Sequence, residues 1–315
     1  MTITYRHIAG YLFGMAAGAV WGTTGPLSTA LYAQGTALTG IGFWRVFLGT
    51  LILAIWGLTQ PRFFEMDRRG LILVGGVGGL LVALFEVAYQ FGIAGAGVAG
   101  AAALLYLAPV VIAILARPIL GERLTGARLA LAVVVMVGAW LTVRGGHPGL
   151  GGVPITSLVV GVSGGLLAAA SYAGTTLLAR WAVPRYGTLR VLFWEIAGGS
   201  LILAILLPIA GQAPSPPPTL SGWLFVLALV AGPVLGANFL FFAAVKRIDA
   251  APTAVAATIE PVVGALLALL LFSQRLEPLG WLGLALVIAG VGGGYLREAK
   301  EDRAGDVTRA LEPGG

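Results

Sequence analysis

Long apolar runs separated by short polar connections cover the chain from end to end. Each run is close to the roughly 20 residues that an α-helix needs to cross a hydrocarbon layer. The pattern predicts ten transmembrane helices, at about residues 8–30, 39–58, 70–92, 98–116, 124–143, 157–179, 190–210, 220–243, 252–272 and 277–296. The sequence therefore predicts an all-α integral membrane protein.

The composition supports this class and argues against several others. Hydrophobic residues make up 58% of the chain and charged residues only 10%, whereas a soluble domain is about 25% charged. The chain has no cysteine and two histidines, and it carries no metal or nucleotide motif in a fitting context, so we expect no metal site and no cofactor. The net charge of +6 comes from basic residues between apolar runs, which indicates membrane topology and not nucleic-acid binding.

The chain contains the same unit twice. The pentapeptide Leu-Ile-Leu-Ala-Ile occurs at residues 51–55 and again at 201–205, and the segment 106–109 has a counterpart 152 residues later. Each unit has five predicted helices, an odd number, so the second copy must cross the membrane in the opposite direction. The sequence predicts two inverted five-helix repeats, residues 1–148 and 149–298, followed by a disordered cytoplasmic tail, residues 299–315.

Basic residues are distributed unevenly between the two sides of the predicted membrane. Fifteen lysines and arginines fall in the connections on one side and two in those on the other. Cytoplasmic loops of membrane proteins carry the excess of basic residues. We therefore predict a multi-pass protein of the bacterial inner membrane with both termini in the cytoplasm.

Several short motifs resemble the EamA-type transporters of the drug/metabolite transporter superfamily. They are Trp21-Gly22, Arg45, Pro109 with Gly121-Glu122-Arg123-Leu124, and Glu260-Pro261 with Gln274-Arg275-Leu276. The resemblance implies efflux of small metabolites, and among family members it points to bacterial amino-acid exporters, including the aromatic-amino-acid type. The second repeat departs from the family pattern, because it has Ser273-Gln274 where Gly-Glu is usual.

Four ionisable residues inside predicted helices are candidates for function, because charge is costly in a membrane. Arg45 and Glu86 have opposite charge at equal predicted depth in the outer half, so they form a structural ion pair or Arg45 binds a substrate carboxylate. Glu195 and Glu260 lie in the inner half without a basic residue at their depth. Each binds a proton or an ammonium group or accepts backbone N–H bonds, and Glu195 has the further option of reaching the interface.

A polar stripe and three aromatic residues complete the candidate substrate-binding set. Glu86, Tyr89 and Gln90 are spaced i, i+3 and i+4, so they share one helix face. Asn238 is the equivalent of Glu86 in the second repeat. This face and Asn238 line the transport pathway or form hydrogen bonds between helices. The aromatic residues at mid-helix, which contact substrate or pack in the core, are Trp21, Tyr106 and Tyr172.

Two prolines at equivalent positions are candidate hinges. Pro109 and Pro261 lie 152 residues apart, each inside a predicted helix. A proline breaks the helical hydrogen-bond ladder, which membrane helices tolerate where neighbours or a cavity satisfy the freed carbonyl groups. The sequence therefore predicts a symmetric pair of kinks.

These features together predict a secondary-active transporter that exports small amphipathic metabolites, such as neutral or aromatic amino acids, by alternating access. Its partners would be a zwitterionic small molecule and the lipid bilayer. The alternatives are a facilitative channel or uniporter for small metabolites, and an intramembrane enzyme acting on an apolar substrate. The enzyme alternative lacks a nucleophile–base pair or a metal-ligand set in the sequence.

The predicted orientation can be tested with topology reporters. A reporter fused after Arg309 is expected to indicate the cytoplasm, and one inserted near Ser215 the outside, because the fifteen-to-two distribution of basic residues places the carboxyl terminus inside. Paired alkaline phosphatase and fluorescent-protein fusions measure this. The reverse pattern would contradict the orientation.

Overall fold

The computed structural model describes residues 5–108, 111, 126–145, 155–245, 247, 256–257, 259–290 and 292–293. Regular structure in these residues is helical throughout, without strands. A bilayer core offers no water to backbone N–H and C=O groups, so a helix that satisfies them internally is the favoured element. The predicted all-α class is confirmed.

The helices of the described residues are numbered in chain order. In the first half of the chain they are α1 (Tyr5–Trp21), α2 (Thr24–Ala33), α3 (Leu38–Gly57), α4 (Arg68–Leu105) and α5 (Gly126–Gly145). In the second half they are α6 (Ile155–Tyr186), α7 (Thr188–Ile209), α8 (residues 220–245), α9 (Glu260–Phe272) and α10 (Pro278–Gly290).

Two of these helices contain a π-helical segment. In α4 it is Leu71–Gly78, close to the start of the helix. In α8 it is Val230–Gly236, between the α-helical segments Leu220–Leu229 and Ala237–Val245. Each π-segment interrupts the regular hydrogen-bond ladder and leaves backbone groups available to other partners.

In the part of the chain that the structure describes, five helices are long and apolar enough to cross a membrane. They are Leu38–Gly57, Arg68–Leu105, Thr156–Tyr186, Thr188–Ile209 and Leu220–Phe241. Shorter apolar helices are Val133–Thr142, Glu260–Phe272 and Pro278–Gly290. A multi-pass helical membrane protein follows, while the count of ten crossing helices stays a prediction.

The first predicted span is interrupted. The sequence predicts one helix over residues 8–30, whereas α1 ends at Trp21 and α2 begins at Thr24. The chain turns at Gly22 and Thr23, and Pro26 then lies in the first turn of α2, where its missing N–H costs no helical hydrogen bond.

The third and fourth predicted spans form one continuous element that turns sharply. Gly97 within α4 has φ +74°, a region that glycine adopts without a Cβ clash. A Cβ placed on Gly92 would lie 3.5 Å from the Cβ of Ala101. Residues nine apart in a straight helix are about 14 Å apart along the axis. The two arms of α4 therefore fold back on each other at Gly97, as two spans joined by a tight turn.

Glycines bring α4 into backbone contact with the second half of the chain. A Cβ on Gly79 would lie 2.8 Å from the Cα of Gly198 on α7. A Cβ on Gly95 would lie 2.7 Å from the Cα of Gly161 on α6. Small residues allow this approach, and close packing replaces the hydrophobic effect as the force that holds helices together in lipid.

A second contact region joins α3, α7 and α8. Its buried side chains are aliphatic, and examples that are at most 4% exposed are Val46, Leu53, Leu203, Val226 and Val230. Branched aliphatic side chains interdigitate closely, so this cluster fixes the relative positions of the three helices.

The close approach of α4 and α7 predicts a sharp cost for one added methyl group. Gly198→Ala is expected to lower the free energy of unfolding by about 1–3 kcal/mol, because the new Cβ would overlap the Gly75 carbonyl group. Thermal unfolding followed by tryptophan fluorescence measures the change. Gly76→Ala is the matched control, since its Cβ would come no closer than 4.0 Å to the atoms around it. Equal stability of the two variants would contradict this packing.

Candidate functional site

Arg45 and Glu86 form an ion pair in the interior of the bundle. The Nε of Arg45, on α3, lies 2.8 Å from Oε2 of Glu86, on α4. The two residues are 6% and 5% exposed. The pairing expected from their predicted depth and opposite charge is therefore present. It fits both alternatives, a structural pair and a guanidinium positioned for a substrate.

The polar stripe on α4 faces the protein. Glu86, Tyr89 and Gln90 are 5%, 4% and 0% exposed. The ring of Tyr89 stacks on Phe85, with centroids 5.5 Å apart and planes 10° apart. Neither polar atom of the Gln90 amide has a hydrogen-bond partner among the described residues. Buried amides normally have partners, so Gln90 is a candidate to bind a group that enters from outside the protein.

Glu260 forms a second acidic cluster with Tyr106. The Tyr106 hydroxyl, just after the end of α4, donates to Glu260 Oε2 at 3.1 Å. The same hydroxyl lies 3.5 Å from the carbonyl oxygen of Ala257. A Cβ on Gly22 would lie 2.7 Å from the Glu260 carbonyl oxygen, so the turn between α1 and α2 packs directly on this residue. Two residues that the sequence analysis named separately, Tyr106 and Glu260, are thus in contact.

Tyr89 is near both clusters. It is within electrostatic range of both Arg45 and Glu260, and of Tyr32 on α2. Tyr32 was not among the residues predicted from the sequence. Its hydroxyl lies 3.2 Å from that of Thr29. Thr29 and Tyr32 are spaced i, i+3 in an apolar helix, so the reasoning applied to the α4 stripe would have found them.

Trp21 and Pro261 flank the second cluster. The Trp21 indole N–H donates to the Pro233 carbonyl oxygen at 3.1 Å, and its ring lies 5.5 Å from Phe241. Pro233 belongs to the π-helical segment of α8, where carbonyl groups lack their usual partners. Pro261 is in the first turn of α9, not inside a continuous helix. The other predicted hinge, Pro109, lies outside the described residues.

Three further candidates lie away from these clusters. Glu195 is 9% exposed, and a Cβ on Gly78 would lie 3.0 Å from its Cγ. Asn238 donates to the carbonyl oxygen of Val234 on its own helix at 2.8 Å. Tyr172 is 47% exposed, and its ring centroid lies 6.3 Å from that of Phe85.

The buried ion pair predicts strong coupling between its two members. Arg45→Ala and Glu86→Ala are each expected to lower the free energy of unfolding by about 3–5 kcal/mol, because each leaves a buried charge unpaired. The double variant should recover part of this loss. The exposed pair Arg62 and Glu65, whose side chains are 80% and 68% exposed, is the matched control and should show little coupling. Additive effects at Arg45 and Glu86 in chemical denaturation would contradict the pairing.

Comparison with known proteins gives relatives that are named as transporters or exporters. The chain is 30% identical over 202 residues to the pseudopaline exporter CntI of Pseudomonas aeruginosa, a match that covers 64% of this chain and 66%, slightly less than two thirds, of that protein. It is 28% identical over 265 residues to a probable terminal-alkyne amino-acid exporter of Streptantibioticus cattleyicolor, covering 82% and 84% of the two chains. An uncharacterized transporter of Archaeoglobus fulgidus is 26% identical over 267 residues, covering 85% and 90%.

The fold is also similar to that of a solved crystal structure. The match covers 98% of this chain and 100% of the other, with a TM-score of 0.64 and 21% sequence identity. The EamA-like transporter family matches residues 8–144 and again residues 159–293. The chain therefore belongs to the EamA-like transporter family.

Proposed function

We propose that this protein is a secondary-active carrier of the bacterial inner membrane that exports neutral amino acids with large apolar or aromatic side chains by alternating access. The observation that carries the proposal is the presence of two polar pairs in the bundle, Arg45–Glu86 and Tyr106–Glu260, with Tyr89 near both. A cationic group and a carboxylate near an aromatic ring match the groups of a zwitterion with an apolar side chain.

The guanidinium of Arg45 has capacity for a second anion. Its Nε is next to Glu86, while its buried Nη1 has no hydrogen-bond partner among the described residues. A guanidinium presents five N–H donors in a planar fork, so it can hold Glu86 and a substrate carboxylate together. The substrate carboxylate would then add to the pair without breaking it.

Glu260 is placed to receive the ammonium group. The Tyr106 hydroxyl is a neutral donor that orients one carboxylate oxygen, and the ion pairs of the described residues do not include Glu260. The turn after Trp21 packs on Glu260, and Tyr89 is near this carboxylate, so aromatic rings are available to the apolar side chain and to the cation. One relative is named as a probable terminal-alkyne amino-acid exporter, which supports an amino acid as the substrate.

Alternating access needs two halves that move against each other, and we propose the two inverted five-helix repeats, residues 1–148 and 149–298, with residues 299–315 as a tail. The family match in two successive segments, 8–144 and 159–293, supports the division. Backbone geometry supports it as well, because Gly35 and Gly187, which are 152 residues apart, have φ +86° and +80° before α3 and α7.

The contacts between helices support a two-fold relation between the halves. The first helices of the first half meet the third helix of the second, α1 with α8, and the reverse contact joins α6 with α4. The second helices of the two halves, α3 and α7, meet each other. Thr50 and Ser200, which precede the two identical pentapeptides, have hydroxyls 3.2 Å apart. A residue that touches its own equivalent lies on the two-fold axis.

The proposal predicts a charge requirement at Glu260. Glu260→Gln should reduce counterflow of labelled phenylalanine or leucine in proteoliposomes by about tenfold or more, the factor that corresponds to about 1.4 kcal/mol of lost binding. Unfolding temperature should change little, because glutamine still accepts the Tyr106 hydrogen bond. Glu277→Gln, an exposed glutamate in the connection before α10, is the control and should transport normally.

Substrate and mechanism are tested in the same assay. Phenylalanine, leucine, threonine and a dicarboxylate are compared in proteoliposomes containing the full chain. Transport of the dicarboxylate with none of the zwitterions would contradict the substrate assignment. Flux without counterflow would contradict the carrier mechanism and favour a channel.

A further inference from the structure

A polar contact joins the two halves of the chain at one end of the bundle. The hydroxyl of Tyr186, the last residue of α6, donates to Oδ1 of Asp67, which precedes α4. Asp67 also caps α4, because the same oxygen accepts from the Gly70 backbone N–H at 3.1 Å. The Tyr186 hydrogen bond lowers the pKa of the Asp67 carboxyl below its ordinary value, so this residue is a carboxylate at neutral pH.

Cation–π contacts reinforce the same end. The Arg69 guanidinium, one turn into α4, lies 5.4 Å from the ring centroid of Trp181 on α6. Arg185 lies over the same ring at 4.6 Å. Arg69 and Trp181 belong to different halves of the chain, so this contact and the Asp67–Tyr186 hydrogen bond act across one boundary. We call this set the 67–186 latch.

A second polar contact joins the halves at the opposite end of the bundle. Oε1 of Gln34, which follows α2, accepts from the Thr219 hydroxyl at 2.6 Å and from the Ser221 hydroxyl at 2.9 Å. Thr219 also caps α8, because its hydroxyl oxygen accepts from the Gly222 backbone N–H at 3.0 Å. Nearby, the indole N–H of Trp44 donates to the Ser215 carbonyl oxygen at 3.1 Å. We call the Gln34 contacts the 34–219 latch.

The two latches are equivalent by the repeat. Asp67 and Thr219 are 152 residues apart, and so are Gln34 and Tyr186. Asp67 and Thr219 are the N-cap residues of the third predicted helix in their repeats. Each binds a residue of the other repeat, Tyr186 or Gln34, that directly precedes a glycine with positive φ. Gln34 and Asp67 flank α3, a helix of 20 residues, which places the latches about 30 Å apart.

We propose that the Asp67–Tyr186 and Gln34–Thr219 contacts are the two gates of the transport cycle, opening in turn on opposite sides of the membrane. This inference rests on the proposed alternating access. Both latches are formed in the structure, which is the arrangement of a substrate-occluded intermediate. Rocking of the halves about the Thr50–Ser200 contact would lengthen one latch and preserve the other, because the two lie on opposite sides of that axis.

The chemistry of the two latches suits gates. Each joins exposed groups at a helix end, where water replaces a broken hydrogen bond at small cost. They differ in charge, because the 67–186 latch contains a carboxylate and guanidinium groups while the Gln34 contacts are neutral. Removing one hydrogen bond should therefore shift the population toward the state that is open at that end only.

Distance measurements test the proposal without requiring a substrate. The chain contains no cysteine, so spin labels at Glu65→Cys with Pro184→Cys report the 67–186 end, and labels at Ala37→Cys with Leu220→Cys report the 34–219 end. Tyr186→Phe is expected to add longer distances at the 67–186 end and leave the other end unchanged. Gln34→Met should do the reverse. Gln60→Met, at an exposed glutamine whose side chain bonds to neighbouring Thr59, is the matched control and should change neither distribution.

Cross-linking connects the latches to transport. The Asp67→Cys/Tyr186→Cys and Gln34→Cys/Thr219→Cys pairs, joined by a short bifunctional thiosulfonate in proteoliposomes, should each lose flux of labelled leucine and regain it on reduction. The Thr50→Cys/Ser200→Cys pair on the axis is the control and should keep its flux when linked.

The outcomes separate this proposal from the proposed function. An unchanged distance distribution in Tyr186→Phe or in Gln34→Met at its own end would overturn the gate assignment of that pair. Flux that persists through a linked latch would overturn it as well. Absence of counterflow in the unlinked protein would instead contradict alternating access, whatever the latches do.

Discussion

The structure depends on the pairing of buried charges, because the hydrocarbon core of a bilayer does not solvate them. An isolated charge in a bilayer is costly, so Arg45 and Glu86 stabilise each other only while α3 and α4 keep their side chains in contact. That requirement fixes the relative position of the two helices. It also places a guanidinium with an unused Nη1 in the interior, which links the stability of the bundle to its capacity to bind an anion.

Glycine provides the second constraint, because helices in lipid associate through close packing. Gly79 and Gly198 let the backbones of α4 and α7 touch. The π-helical segment of α4 packs on α7, and that of α8 packs on α1 and α3. The freed carbonyl of Pro233 is satisfied by the Trp21 indole, so an irregular backbone becomes part of an interhelical contact.

The candidate site combines the buried ion pair with the turns that glycine allows. The turn at Gly22 brings α1 and α2 onto Glu260, and the turn at Gly97 brings Tyr106 to the same carboxylate from the far arm of α4. Tyr89, on the near arm, is near both this cluster and Arg45. Chain breaks at glycine thus bring together side chains from four helices that no regular helix could align.

The sequence by itself determined that the protein lies in a membrane, that its secondary structure is helical, and which family it resembles. Apolar runs and scarce charge predicted an all-helical membrane protein, and motifs around Trp21, Arg45 and Glu260 carried the family resemblance that the family match confirms. These properties depend on local or periodic patterns of residues, so the sequence alone is enough to predict them. The equal predicted depth and opposite charge of Arg45 and Glu86 also indicated their contact, because opposite charges attract each other strongly in a membrane.

Only the tertiary structure decided which polar side chains share a neighbourhood. Periodicity shows that Glu86, Tyr89 and Gln90 share a face, but it does not say what that face meets. The Tyr106–Glu260 contact spans 154 residues, and Asn238 donates to the Val234 carbonyl oxygen of its own helix. The break at Gly22 and the π-segments were equally invisible in sequence. Such features depend on contacts between helices that are distant in sequence, so they arise only when the helices pack together.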